Sequence, residues 1–343
     1  MFRPGGARFR PLSSSARKGA RNLNPVQGAS MNSLFKRLGL AFACTLLAAG
    51  SALAAYPERP ITMIVPFGAG GSNDLPARVL AGMMEKKLGQ PVVVQNVVGA
   101  GGTQGTTQIA QAKPDGYTIG FDPTGALCLQ PHMKKLPYGV DSFQFIGMAT
   151  QQPVVLMTGK NAPWKNIEEM VEIVKKAPGK YIVGISGKGN MSHVPVLALA
   201  KHYGLKFRYV PYRSTPEIMK EIAADRLQFH ADMPVALSQY EVYGLVQFSD
   251  KKVDNLPMPN SADIGLNKNF IMWQACIAPK GMPDDVVKVL VDTMREVVNS
   301  PEYAEAVRKL SMNPWWMEPE QAQAFYAEEY ASYGEALKEA LGN

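Results

Sequence analysis

Three glycine-rich turns carry the chemistry this sequence offers. They are Gly68-Ala69-Gly70-Gly71, Gly99-Ala100-Gly101-Gly102 and Gly187-Lys188-Gly189-Asn190. Each follows an apolar run with strand character and leads toward a helical segment. Glycine lets the backbone approach a ligand closely, and the free N–H groups of a helix start favour anions. A carboxylate or a phosphate suits such turns; the alternative use is tight packing at the end of a sheet. Near them lie Ser72, Asn73 and Asp74, Tyr212 and Arg213 at the end of an apolar run, and Asp232 at the end of another.

The enzyme motifs fail on inspection. A G-x-G-x-x-G fingerprint needs a third glycine where Asn73, Gln104 and Ser192 stand, and no G-x-x-x-x-G-K-[ST] loop is present. Gly184-Ile185-Ser186-Gly187-Lys188 approaches a nucleophile elbow but has Lys188 in the place of its last glycine. His132, His193, His202 and His230 pair with no carboxylate at metal-ligand spacing, so neither a metal nor a cofactor is expected. Asp74 and Asp232 make an imaginable acid–base dyad, but a helix cap and a solvated turn are their more ordinary uses.

The elements that position these turns alternate. Strands are expected over Ile61–Phe67, Val92–Val98, Tyr117–Phe121, Tyr181–Ile185, Phe207–Pro211, Leu227–Ala231, Leu245–Phe248 and Asn269–Ile277. Helices are expected over Leu75–Leu88, Ile167–Lys176, Val194–Tyr203, Thr215–Arg226 and Val235–Tyr240, with Pro283–Asn299, Pro301–Leu310 and Pro319–Leu341 at the end. Ser72, Asn73 or Asp74, and later Ser214 or Thr215, are the cap candidates. This order predicts an α/β fold with mainly parallel sheets, in which ligands sit at the carboxyl ends of strands.

The chain has 343 residues, which suits two domains, and a formal charge of +7. That charge is local. Residues 1–54 hold eight basic residues and no acid, and beyond them 28 basic residues face 29 acidic ones. Nucleic acid is therefore not an expected partner. Met31, the basic pair Lys36-Arg37, the apolar run Leu38–Ala49 and Ala52-Leu53-Ala54 form a secretory signal peptide, with cleavage expected after Ala54. Residues 1–30 are then an upstream extension, a disordered tail or a transit peptide. Cys44 sits in a poor lipidation context, and Cys128 and Cys276 are a pair open to bridging. Beyond the leader no apolar run reaches about 18 residues, so no spanning helix is expected.

Taken in order, the motifs resemble the periplasmic receptors of tripartite tricarboxylate transporters, the set expanded in Bordetella-like bacteria. Tyr56-Pro57-Glu58-Arg59-Pro60-Ile61 is similar to the family's opening, and Val65-Pro66-Phe67-Gly68-Ala69-Gly70-Gly71-Ser72-Asn73-Asp74 with Ala77-Arg78 to its first turn. Gly99–Gly102, Pro114-Asp115-Gly116-Tyr117-Thr118, Gly187-Lys188-Gly189, His193, Val210-Pro211-Tyr212, Trp273 and Ala278-Pro279 continue the series.

The resemblance implies a two-domain periplasmic binding protein that closes like a flytrap on an interdomain cleft. It implies domains of 55–156 plus 275–343 and of 157–274, a small carboxylate ligand (a di- or tricarboxylate, an acidic amino acid or an aromatic acid), a membrane permease as partner and no catalysis. The implied ligand residues are Phe67, Gly70, Gly71, Ser72 and Asp74 of the first turn and Gly187, Gly189, Asn190, Ser192 and His193 of the third, joined by Tyr212, Arg213 and Asp232. A monomer is expected. The rivals are a receptor that presents ligand to a membrane sensor, an orphan receptor for a neutral ligand, and a periplasmic hydrolase or lyase. Asn190 stands where the family has a hydroxyl residue and Arg213 where it has lysine, so ligand identity is what this sequence leaves open.

Overall fold

The structure, a computed structural model, describes residues 56–253 and 256–341. The leader, its cleavage site, Cys44 and the upstream extension lie outside the described residues.

From its start the chain runs β1 (Ile61–Val65), α1 (Asp74–Leu88) and β2 (Val92–Asn96), then a 3-10 turn (Ala100–Gly102) into α2 (Thr103–Ala110). β3 (Thr118–Pro123) leads into a π-helical turn (Gly125–Leu129), α3 (Gln130–Met133) and the long β4 (Phe143–Pro153). Next come β5 (Val155–Gly159), α4 (Ile167–Lys176), β6 (Ile182–Ile185), α5 (Val194–Tyr203), β7 (Arg208–Pro211), α6 (Thr215–Ala223), β8 (Phe229–Asp232), α7 (Val235–Gln239) and β9 (Val242–Gln247). β10 (Ile271–Pro279), α8 (Asp284–Val298), α9 (Pro301–Lys309), β11 (Asn313–Pro314) and α10 (Pro319–Leu341) finish the chain.

These strands build two sheets, a six-stranded one in the order β11-β4-β10-β3-β1-β2 and a five-stranded one in the order β7-β6-β8-β5-β9. The parallel expectation is met in the strand–helix–strand units: β1 runs parallel to β2 and β3, and β6 to β7 and β8. It needs correction elsewhere. β10 is antiparallel to β3 and β4, and β5 to β8 and β9, so both sheets are mixed. The reason is the path: β4 leaves the first sheet and continues into the second as β5, and β10 brings the chain back.

Between the sheets, Val154 N–H donates to Phe270 O (3.0 Å), and Phe248 N–H donates to Val154 O (2.7 Å). One residue thus joins the outgoing and returning segments.

The helices form where apolar residues recur at helical spacing. In α4, Ile167, Met170, Val171 and Val174 are buried, and the Asn166 side chain accepts from Glu169 N–H (2.9 Å) to cap the start. Trp273, Phe145 and Tyr326 meet in the core of the first half, and Trp164 stacks on Phe229 in the second. Cys128 and Cys276 are buried free thiols. Burial pushes Cys276 up to about 12 and Cys128 well above the usual range, so both stay protonated at neutral pH.

Candidate functional site

The carboxyl ends of β1, β2, β3, β6, β7 and β8 all feed turns that face the gap between the two sheets. The first turn is locked by Asp74. Its Oδ2 accepts from Gly70 N–H (2.8 Å) and Arg78 Nε (2.7 Å), and its Oδ1 accepts from Asn96 Nδ2 (2.8 Å). Burial alone would raise this carboxyl; the bonds from Arg78, Gly70 and Asn96 outweigh it and hold the group below its ordinary value. Gly70 adopts φ +72°, which a side chain would strain. Gln274 of β10 steadies the next residues, donating to Asn73 Oδ1 (2.8 Å) and Ser72 O (3.3 Å).

The third turn is locked from within. Ser186 N–H donates to Ser192 Oγ (2.8 Å), Gly189 N–H to His193 Nδ1 (3.0 Å), and Met191 N–H to Asn190 Oδ1 (2.9 Å). Burial, with the Lys188 charge adding to it, lowers His193 to about 4. The ring is therefore neutral, which its Nδ1 acceptor role requires.

The two halves meet through these turns. Asn190 Nδ2 donates to Gly101 O (3.2 Å), Gln130 Nε2 to Lys188 O (2.8 Å), and Ser72 Oγ to Asp232 Oδ1 (2.8 Å). A Cβ on Gly187 would lie 2.9 Å from Gly101 Cα, and one on Gly125 would overlap Asn190 Oδ1.

Asp232 is saturated with donors. Besides Ser72, Met233 N–H donates to Oδ1 (2.8 Å), Thr215 Oγ1 to Oδ2 (2.6 Å), and His230 Nε2 lies 3.2 Å from Oδ2. His230 Nδ1 donates to Gly184 O (2.9 Å), which turns Nε2 toward Asp232. Burial again opposes ionisation of Asp232, and the bonds and charge from His230 with those from Thr215 and Met233 overcome it.

The space enclosed is small. A cavity of about 20 Å³ is lined by Phe67, Ser72, Asn190, Ser192, Thr215 and Asp232, among others. That is room for roughly one water-sized group. At Ser186 it adjoins an outer groove of about 640 Å³.

With this geometry in hand, the comparisons with known proteins decide the family. The model of the tripartite tricarboxylate transporter family receptor matches residues 76–342. The chain belongs to that receptor family. A UPF0065 protein of Bordetella pertussis is 32% identical over 292 residues, covering 82% of this chain and 90% of the relative. The solved periplasmic binding protein BugD superposes with a TM-score of 0.78 at 33% identity, covering 83% of this chain and 98% of BugD. MatC of Rhodopseudomonas palustris, solved with bound malate, superposes at 0.76 with 26% identity, over 82% of this chain and 100% of its own. The fold is that of a periplasmic binding protein.

The receptor's expected site residues divide into three groups. Phe67, Gly71, Ser72, Asn190, Ser192 and Asp232 line the inner cavity. Gly187, Tyr212 and Arg213 line the outer groove. Gly70, Asp74, Gly189 and His193 line neither. Gly70 with Asp74, and Gly189 with His193, bond each other across four residues and so shape the two turns. Trp273 is core, its Nε1 donating to Glu329 (3.1 Å).

Sequence reasoning passed over Pro123, Gly125 and Thr215 in the cavity wall and Gln130, Met133 and Lys134 in the groove wall. Phe121-Asp122-Pro123-Thr124-Gly125 is itself a strand end opening into a helical turn. The rule that placed the other turns at the cleft would have found it.

Proposed function

We propose that the receptor captures a small carboxylate in the periplasm and hands it to the membrane permease of a tripartite tricarboxylate transporter. One observation carries this: the glycine turns of the two halves meet around a polar pocket, a small inner cavity that adjoins an outer groove of about 640 Å³ at Ser186, and its walls offer hydroxyls, amides and turn N–H groups. Ser72 and Asn73 N–H make no hydrogen bond among the described residues, and both residues line that cavity. The malate held by MatC supports a carboxylate as the occupant here.

The leader 31–54 would direct export, and the mature receptor would act as a monomer. The lobes would divide close to the expected 55–156 with 275–343 and 157–274, except that Val155 and Leu156 pair in the second sheet and residues 271–274 in the first, and they would rock about the crossing at Val154. The chain would do no catalysis. The order of contacts, Ser72 to Asp232 to His230, argues against it. The base touching the hydroxyl is a carboxylate held low by its donors, which cannot take the serine proton.

Thermal shifts with a panel of small carboxylates, neutral amides and sugars test the proposal. A ligand at about 100 times its Kd adds ~2.7 kcal/mol to a fold that alone binds it. Stabilisation confined to carboxylates is the expected result. Stabilisation by a neutral compound alone would overturn the carboxylate assignment.

A further inference from the structure

A further cavity lies outside the cleft, where the chain returns from the second sheet to the first. It encloses about 430 Å³ and shares no lining residue with the inner cavity or the outer groove. That volume suits a small organic molecule. One wall is the returning segment, residues 268–271. The others come from Gln151 of β4, Trp315 beside β11, and α10.

The walls from the first half are aromatic and fixed. Trp315 N–H donates to Ala149 O (2.9 Å), and the rings of Trp315 and Phe325 meet edge to face with centres 5.1 Å apart. Tyr333 Oη donates to Ile271 O (3.0 Å). Against these rings stands Glu329, half-buried. Its Oε2 accepts from Trp273 Nε1 (3.1 Å), and its Oε1 accepts no hydrogen bond among the described residues. Burial raises this carboxyl, the bond from Trp273 opposes the rise, and the Glu328 charge adds to it. The exposed rim carries Glu335 and Lys268, of opposite charge. A partly desolvated carboxylate among aromatic faces is the chemistry that holds an organic cation. The carboxylate supplies the counter-charge and the rings supply cation–π attraction, both stronger out of water.

We propose that this cavity is a second ligand site, for a small organic cation such as a quaternary ammonium or a substituted guanidinium, and that its occupancy biases closure. The bias follows from the returning segment. Phe270 N–H donates to Phe248 O (2.8 Å), and Phe270 O accepts from Val154 N–H (3.0 Å), so that wall is tied to the second half while Glu329, Trp315 and Phe325 belong to the first. Neighbouring residues of β10 serve the two sites: Ile271 lines this cavity and Met272 the inner one. The cavity has this shape in the form whose cleft is closed by the Ser72–Asp232 bond. A cation that fits it therefore favours that form by its difference in affinity, and tightens whatever the cleft binds by the same factor. The cation site stands or falls independently of the carboxylate reading.

Titration calorimetry of the receptor with two matched pairs tests this. One pair is choline and its neutral isostere, in which a tert-butyl group replaces the trimethylammonium; the other is butylguanidinium and butylurea. In at least one pair the cation should bind roughly tenfold or more tightly than its neutral partner. In Glu329→Gln that cation's affinity should fall roughly tenfold to a hundredfold, and in Trp315→Leu by less. Glutamine still accepts from Trp273, so the melting temperature of Glu329→Gln should stay in place, which separates a lost site from a lost fold. Small-angle scattering without carboxylate should show the saturating cation lowering the radius of gyration of the native protein, and Glu329→Gln unmoved at the same concentration. No preference for the cation in either pair, or unchanged affinity in Glu329→Gln, would overturn the site. Binding with an unchanged radius would overturn its bias on closure.

Discussion

Ser72 Oγ donates to Asp232 Oδ1 (2.8 Å) across the gap between the two sheets, with both residues buried. The bond joins the first glycine turn to the end of β8, and Asp232 also holds Thr215 at the start of α6. It is a clasp on the closed form, because the acceptor is charged and shielded from water. Ser72→Ala should leave the fold of each half intact and weaken closure by about 1.5–3 kcal/mol, the usual worth of a hydrogen bond to a charged group. Small-angle scattering should report a larger radius of gyration for the variant without ligand, and ligand affinity should fall with it. An unchanged radius and affinity would show that the clasp does not govern closure.

Gly125 offers a cleaner block. A Cβ there would overlap Asn190 Oδ1 from the opposite half, yet Gly125 lies in a helical turn and has no positive φ that alanine would strain. Gly125→Ala should therefore fold normally and fail to close. The expected result is a melting temperature near that of the native protein without ligand, and a loss of ligand-induced stabilisation. Gly68, whose Cβ would lie 2.6 Å from Ser214 Cβ, should behave the same way. Native-like stabilisation of Gly125→Ala by ligand would mean that Asn190 can swing aside.

These contacts show where the sequence was legible. Helices such as Ile167–Lys176 and Val194–Tyr203 were readable to the residue, because caps, prolines and glycines punctuate them locally. β4 was not read: Gln151, Gln152 and Pro153 interrupt its apolar pattern, and burial on both faces removes the alternation that marks a strand. The glycine turns were legible as places for an anion. Which side chains face the cavity was not, since Asp74 and Ser72 are two residues apart, equally polar and turned to different duties. Asp232 read as a solvated turn, and only the tertiary fold brings Ser72, Thr215 and His230 to it.

Asp122 makes stability depend on pH. It is fully buried on β3, its Oδ1 has no partner among the described residues, and burial pushes its carboxyl up to about 8 despite the Thr106 hydroxyl at 2.7 Å from Oδ2. An unfolded aspartate ionises near 3.8. Between those values the folded chain holds a proton that the unfolded chain has released, so this group lowers stability by about 1.4 kcal/mol per pH unit as pH rises, and by no more once pH passes about 8. Asp122→Asn keeps the shape and cannot ionise. Urea titrations should find the variant more stable than the native protein near pH 8, with the gap closing toward pH 4. Parallel curves over that range would show Asp122 ionised in the fold.

His193 works in the opposite sense. Burial and the Lys188 charge lower it from 6.5 to about 4, and the neutral ring keeps the Nδ1 acceptor that holds Gly189 N–H. Between those values the unfolded chain binds a proton that the folded chain refuses. Stability contributed by the neutral ring is full above 6.5 and is lost as pH falls toward 4, by about 3 kcal/mol in all. His193→Gln retains an acceptor and does not titrate. It should cost some stability at neutral pH through lost packing on Tyr209, whose ring centre lies 4.6 Å away, and lose less than the native protein on acidification. The measurement is the difference between the two unfolding free energies across that window. A constant difference would mean that the third turn does not depend on a neutral His193.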